Sequence, residues 1–353
     1  MRATVFHGAK DVRVEAHPEP TDVGHFDVLI KPRLCGICGT DLHEYAQGPI
    51  VIPSSPHALT GAQMPQILGH EFSAEVVAVG RQVQSVRAGD RVTIMPLVFC
   101  GRCYYCRRGL NHLCVRMGCT GLSWAWGGLG ELAIVPEYQV ALLPDTVTDQ
   151  QGALVEPAAV AAYGVDRAAI SAGDTVLVTG AGPIGCLAAL YASACGAKVV
   201  ISEPNENRAR LARALDIGDV VNPVKEELLD VVHRSTGGIG VDAAIECAGN
   251  ARALNSCIDA TRSRGAVVQT GLHVAPAEIS PMTLSLKDLS VIGSWCYFVY
   301  DFPRIISLIA SGRYPVEKVV TSQVEMDEIV PRGFDALLDP QGDEVKVLVE
   351  VGA

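Results

Sequence analysis

Residues 174–203 read DTVLVTGAGPIGCLAALYASACGAKVVISE. The β-branched run Asp174–Thr179 has the pattern of a buried strand. It passes directly into Gly180-Ala-Gly182-Pro183-Ile184-Gly185, after which CLAALYASACGA reads as a helix and Lys198–Ser202 as a second strand, followed by Glu203. A G-x-G-x-x-G alone is weak, but between a strand and a helix, with an acid about 20 residues on, it is a dinucleotide-binding fingerprint. The glycines let the backbone approach a pyrophosphate, which sits on the helix N-terminus. Glu203 is placed to accept from the adenosine ribose hydroxyls. Its charge repels a 2′-phosphate, so the expected cofactor is NAD. Arg208 is the one nearby feature against that choice. It reads more simply as a solvated charge on the ENRARLARAL helix, and it stays among the candidate cofactor residues.

Outward from this stretch, from about Gly152 to Gly293, apolar strands alternate with Ala-rich helices. Further strands read at Val241–Cys247, Ala266–Gly271 and Ser290–Gly293. That alternation predicts an α/β, doubly wound parallel sheet, whose C-terminal strand ends line the cofactor crevice. Cys247, Ala248, Gly271, Ser294 and Trp295 are therefore expected beside the nicotinamide half. Phe302–Ile309 reads as an amphipathic helix, and EVKVLVEV near the C-terminus as a strand that rejoins the first part of the chain.

Residues 1 to about 150 are β-rich, with short strands separated by turn signals such as Ala88-Gly89-Asp90. MRATVFHGAKDVRV reads as strand, turn and strand. Between LCGICGTDLHEY (34–45) and ILGHEF (67–72) lies a Pro/Gly/Ser-rich insertion, GPIVIPSSPHALTGAQMPQ, read as an ordered surface loop. The flanking runs offer thiols (Cys35, Cys38), a hydroxyl (Thr40), imidazoles (His43, His70) and carboxylates (Glu44, Glu71), the ligand chemistry of a catalytic Zn2+ site. A chain extended to Cys38 and helical after Thr40 aligns thiolate, hydroxyl and imidazole, an arrangement suited to moving a proton off an alcohol. His70 and Glu71 are adjacent, so both reach one metal only if the chain bends there.

CGRCYYCRRGLNHLC (100–114) places Cys100, Cys103, Cys106 and Cys114 at C-x-x-C-x-x-C spacing with a fourth cysteine beyond. Tight C-x-x-C turns let four thiolates converge with no open position, as in a structural zinc site. No proline follows the last cysteine, unlike the bacterial ferredoxin run.

Of 353 residues, 49% are hydrophobic and 19% charged, the composition of a well-packed globular chain; a net charge of −11 with no basic run excludes nucleic acid and anionic membrane as expected partners. The sequence starts on a strand pattern, not a signal peptide, and no apolar run reaches the roughly 20 residues of a membrane helix. Twelve cysteines without such a signal point to reduced thiols and metal ligands, and hence to the cytoplasm.

Gly36-Ile-Cys38-Gly-Thr40-Asp41-x-His43, Gly69-His70-Glu71, the four-cysteine lobe, Val155-Glu156-Pro157 and the glycine-rich turn follow one another as in the zinc-dependent medium-chain (alcohol dehydrogenase-like) family, which the whole chain resembles. The resemblance implies a β-rich GroES-like catalytic domain at 1–152, with its zinc lobe at 95–118. A Rossmann NAD-binding domain follows at 153–295, and 296–353 returns to the catalytic domain. The nearest branch is that of the 2,3-butanediol dehydrogenases, neighbour to the sorbitol dehydrogenases. It is suggested by Asp41–Tyr45, the insertion, Leu68–Phe72, the 121–128 segment and Ser294–Phe302, although Trp124 and Trp126 are bulky for that segment, which bears on substrate size. Carried over, Cys38 and His70 are ligands of a catalytic zinc, Glu71 and Glu156 compete for the third place, and Thr40 and His43 relay the proton. The implied reaction transfers hydride between a secondary alcohol and NAD. The (R,R)-2,3-butanediol/acetoin pair is favoured over sorbitol or threonine, and over a non-catalytic NAD(H) sensor. A homo-oligomer, dimer or tetramer, built through an edge strand of the cofactor domain is also implied.

Overall fold

The computed structural model describes residues 1–352, which divide into two compact units. The first comprises Met1–Glu156, Phe298–Gly312 and the chain from Val320 onward; the second comprises Pro157–Tyr297 and Arg313–Val319. Among the described residues no helix is long and apolar enough to cross a membrane.

The second unit is built on a six-stranded parallel sheet. Its strands, in chain order, are Thr175–Thr179, Lys198–Ser202, Gly218–Val221, Val241–Glu246, Thr261–Gln269 and Ser290–Gly293. Across the sheet they lie third, second, first, fourth, fifth, sixth, the doubly wound order, which reverses beside the first strand. Every residue of Thr175–Thr179 is buried, as expected for a strand covered on both faces. Leu177, Val200, Val241, Ala244 and Val267 form its core with Val232, Leu254 and Ile258 from the covering helices. Each of the Val, Leu and Ile side chains contributes about 1.5–3 kcal/mol by leaving water.

The first unit is mainly antiparallel. The long strand Asp27–Gly36 pairs with Glu71–Val79 on one side and with Ala133–Pro136 and Val347–Glu350 on the other. Register places Gly36 opposite both Glu71 and Leu348, so the end of the chain returns beside the His70–Glu71 pair. The opening strand–turn–strand is present as Arg2–Gly8 and Asp11–Ala16. The C-terminal helix pattern appears as Phe302–Ala310. Val28, Ile30, Cys35, Ile37, Phe72, Val347 and Val349 share one core with Tyr45 and Phe334.

Two local expectations needed revision. The helix after Cys38 begins at Gly39, so Thr40 already lies in its first turn; the Asp41 carboxylate accepts the Cys38 N–H at 3.0 Å and fixes that early start. Glu44, grouped with the metal-type donors by sequence, is committed elsewhere. Its fully buried carboxylate accepts from the backbone N–H groups of Ile50 (2.9 Å), Val51 and Ile52 (3.1 Å), which pins the start of the insertion to this helix.

Candidate active site and metal centres

Strand Asp27–Gly36 ends just before Cys38, which is extended (φ −93°, ψ 156°) and caps helix Gly39–Gln47. Thr40 Oγ1 lies 3.8 Å from Cys38 Sγ. His43 follows one turn later on the same helix and is exposed. His70 precedes strand Glu71–Val79, and the bend sits at Gly69, whose φ of +98° is open to glycine; a Cβ there would also lie 2.7 Å from Cys35 Sγ. The bend allows adjacent residues to point to one place. Donor atoms of Cys38, His70 and Glu71 lie within 4.8 Å of one another. Glu156, in the first turn of helix Val155–Arg167, is buried and close enough to raise the His70 pKa, but it lies outside that three-residue set.

The electrostatics of this pocket are dominated by burial. Burial pushes the Cys38 thiol up, the Glu71 carboxylate adds to the shift, and His70 opposes it. Burial works against a charged His70, but Asp41, Cys38 and Glu156 outweigh it and hold the imidazole well above its ordinary range. His70 Nδ1 and Asp41 Oδ1 face each other at 3.6 Å, too far for a hydrogen bond, and both are buried without a partner. Lys346 is the cation at this place: its ammonium, 1% exposed, pairs with Glu71 and donates to the Ile37 carbonyl at 2.9 Å. A half-buried thiol and a buried imidazole and carboxylate that converge, with acidic groups outnumbering the one ammonium, form a donor set that suits a divalent zinc ion.

The four cysteines of the lobe also converge. Donor sulfurs of Cys100, Cys103, Cys106 and Cys114 lie within 4.8 Å of one another, and all four are free thiols. The backbone amides of Arg102 and Cys103 lower Cys100 to about 6, whereas burial raises Cys106 to about 12. Four sulfurs in one closed group, some already favoured as thiolates by backbone N–H groups, fit a structural Zn2+.

In the second unit Gly180, Gly182, Glu203, Arg208, Cys247 and Ala248 line one cleft of about 490 Å³ at the C-terminal ends of the strands. Gly180 has φ +91°, Gly182 caps helix Pro183–Ala194, and Pro183 and Ile184 form its first turn. A Cβ on Gly185 would collide with the Gly180 carbonyl, so this glycine serves close packing of helix on strand. Glu203, 4% exposed, accepts from Ala181 N (2.7 Å) and Asn205 N (2.8 Å), tying the acid to the glycine-rich turn. Gly271, Ser294 and Trp295 do not line this cleft: Gly271 packs on Gly249, Ser294 N bonds the Gln269 carbonyl at 2.9 Å, and Trp295 is exposed.

Sequence reasoning assigned no role to Asp41 or Lys346. Asp41 stands three residues after Cys38 at a helix start, a spacing that could have marked it as a cap. Lys346 carried no local signal. Trp124 and Trp126 have structural partners: Trp124 Nε1 donates to the Ile134 carbonyl at 2.9 Å, and Trp126 packs edge-on to His17.

Comparison with known proteins agrees with this geometry. Residues 24–145 match the family described as alcohol dehydrogenase GroES-like domain, and residues 183–311 match zinc-binding dehydrogenase. The chain is 38% identical to (R,R)-butanediol dehydrogenase of Bacillus subtilis (strain 168), over 99% of each chain. It is 34% identical to the (R,R)-butanediol dehydrogenase of Neisseria gonorrhoeae, again over 99% of each. The crystal structure of 2R,3R-butanediol dehydrogenase from Bacillus subtilis superimposes with a TM-score of 0.92 over 99% of both chains.

Proposed function

Because the chain belongs to the zinc-binding, alcohol dehydrogenase-like family of nicotinamide-dependent oxidoreductases, we propose that it interconverts (R,R)-2,3-butanediol and acetoin with NAD. The observation that carries this reading is full-length likeness, at 38% identity over 99% of both chains, to an enzyme of that name. Cys38, His70 and Glu71 would hold a catalytic zinc, with Glu156 outside their group, and Cys100, Cys103, Cys106 and Cys114 a structural one. When bound, the catalytic zinc supplies Lewis acidity that makes a secondary hydroxyl easier to deprotonate, and the nicotinamide supplies the hydride acceptor. Thr40 receives the hydroxyl proton from its place 3.8 Å from Cys38 Sγ, and the exposed His43, a turn later, passes it to solvent. Residues of the Gly180–Glu203 cleft would hold the cofactor, and the buried Glu203 carboxylate there would disfavour a 2′-phosphate.

We also place the protein in the cytoplasm, a reading supported by its twelve free cysteines. It acts on a small molecule rather than on nucleic acid or membrane. A homo-oligomer, dimer or tetramer, is supported by the sheet edge at Ser290–Gly293, which pairs on one side only. Exposed Val274, Met282, Leu286 and Val291 lie in or lead into that edge, and an open apolar edge favours pairing with a second chain.

The test is NADH production on the three 2,3-butanediol stereoisomers, sorbitol and threonine. Turnover centred on the (R,R)-diol supports the proposal; turnover confined to sorbitol or threonine keeps the chemistry and replaces the substrate. A zinc-loaded protein that turns over none of them leaves a cofactor-binding sensor.

A further inference from the structure

Glu246 is fully buried and has no part in the reaction as set out above. It ends strand Val241–Glu246 of the parallel sheet. Its carboxylate accepts from the backbone of Ala248 (2.8 Å) and Gly249 (2.7 Å) through Oε1. Oε2 lies 3.0 Å from His273 Nε2. An ionised carboxylate only accepts, so Nε2 carries the proton of that bond. The Glu246 carbonyl accepts in addition from Thr270 N (2.9 Å) and Gly271 N (2.8 Å).

One residue therefore holds two loops, 247–249 after its own strand and 270–273 after strand Thr261–Gln269. The loops touch backbone to backbone: a Cβ on Gly271 would collide with Gly249 N, and would lie 2.9 Å from Glu246 Oε2. Loops at the C-terminal ends of a parallel sheet form the wall of its ligand crevice, and Cys247 and Ala248 line the cleft directly. A buried carboxylate with three donors around it, in a place where apolar side chains would pack more cheaply, sets loop geometry rather than core volume.

We infer that Glu246 and His273 are positioning residues for the dinucleotide: the pair clamps loops 247–249 and 270–273 into the shape that receives the cofactor. The inference rests on the reading of the chain as a nicotinamide-dependent dehydrogenase. His273 does not line the cleft and its side chain bonds Glu246, so its loss acts on cofactor affinity before it acts on turnover.

The experiment is NADH titration of the zinc-loaded protein by fluorescence, alongside kcat and KM for NAD. His273→Ala is expected to weaken NADH binding and raise KM for NAD by about tenfold, the size of one lost charge-assisted hydrogen bond. kcat at saturating NAD should fall by less than that, and zinc content should stay at the wild-type value. His273→Gln, which keeps an N–H donor, should recover part of the affinity, and Glu246→Gln should resemble His273→Ala. Unchanged NADH affinity in His273→Ala overturns the inference, as does an equal fall in kcat with KM untouched. A wild-type protein that binds no NADH overturns the dehydrogenase reading itself and this inference with it. If Glu246→Gln fails to fold, the His273 pair of variants decides alone.

Discussion

The Lys346 ammonium is buried against the Glu71 carboxylate, 275 residues away in sequence, with Gly36 packed beside both. A Cβ at position 36 would collide with Glu71 Oε2 and lie 2.9 Å from Lys346 Cε, so the pair exists only because that strand position is bare. Burial disfavours the ammonium, but Glu71 more than offsets it and raises the Lys346 pKa. The carboxylate beside His70 thus has a buried cationic partner.

Lys346→Met leaves Glu71 as a buried charge without its partner, which costs about 3–5 kcal/mol. The loss should be larger in protein stripped of metal than in zinc-loaded protein, because the metal's charge replaces that of the ammonium. Urea denaturation with and without a chelator measures both. Equal losses in the two forms would remove Glu71 from the metal's surroundings.

The two thiol groups should respond separately to substitution. Cys38→Ala is expected to lower bound zinc by about one ion per chain and abolish turnover while NADH still binds. Cys103→Ser should also lose about one ion, but with a clear fall in stability, since closed four-thiolate sites contribute to folding. Metal analysis with thermal melts distinguishes the two, and two variants that lose the same ion would contradict separate sites.

Glu44→Ala removes the acceptor for three backbone N–H groups at the start of the insertion. An unsatisfied buried donor such as the Ile52 N–H costs about 1–3 kcal/mol, and the 48–66 segment should become cleavable by protease at concentrations that spare the wild type. Glu44→Gln keeps an acceptor oxygen and should lose less. An uncut Glu44→Ala loop would mean the insertion is held by other contacts.

Glu203→Ala should narrow the preference for NAD over NADP by about tenfold, the size of one lost charge-assisted interaction. NAD binding should also weaken, since Ala181 N and Asn205 N lose their acceptor. The ratio of kcat/KM for the two cofactors is the measure, and an unchanged ratio would place the ribose contact elsewhere.

Glu206 supplies a pH dependence. Lys225, Arg213 and Asn222 hold its carboxyl at about 2, below the ordinary value of 4.5. Its folded pKa is depressed, so its contribution to stability is complete above about pH 4.5 and disappears as pH falls to about 2. The melting-temperature difference between wild type and Glu206→Gln should therefore be constant above pH 4.5 and shrink below it. A difference that grows as pH falls would have the wrong sign.

Much of this molecule was written locally. The Gly180–Gly185 turn, the strand before it and Glu203 after it depend on neighbours within one βαβ unit, and the α/β doubly wound class followed from them. The C-x-x-C spacing likewise brought Cys100, Cys103, Cys106 and Cys114 into one group through short turns. Cys38 and Thr40 were legible because a strand end and a helix start are short-range events.

What the tertiary structure decided were the relationships that cross strands. Gly36 faces Glu71 and Leu348 through sheet register, which brings Lys346 to a carboxylate that no local pattern connects to it. Glu44 looked like one more metal-type acid until the chain folded its own amides around it. Glu246 and His273 meet because adjacent parallel strands end side by side. In each case the side chain's identity is local, but its charge is answered by whichever backbone or ion the fold brings within about 3 Å, and register sets that partner.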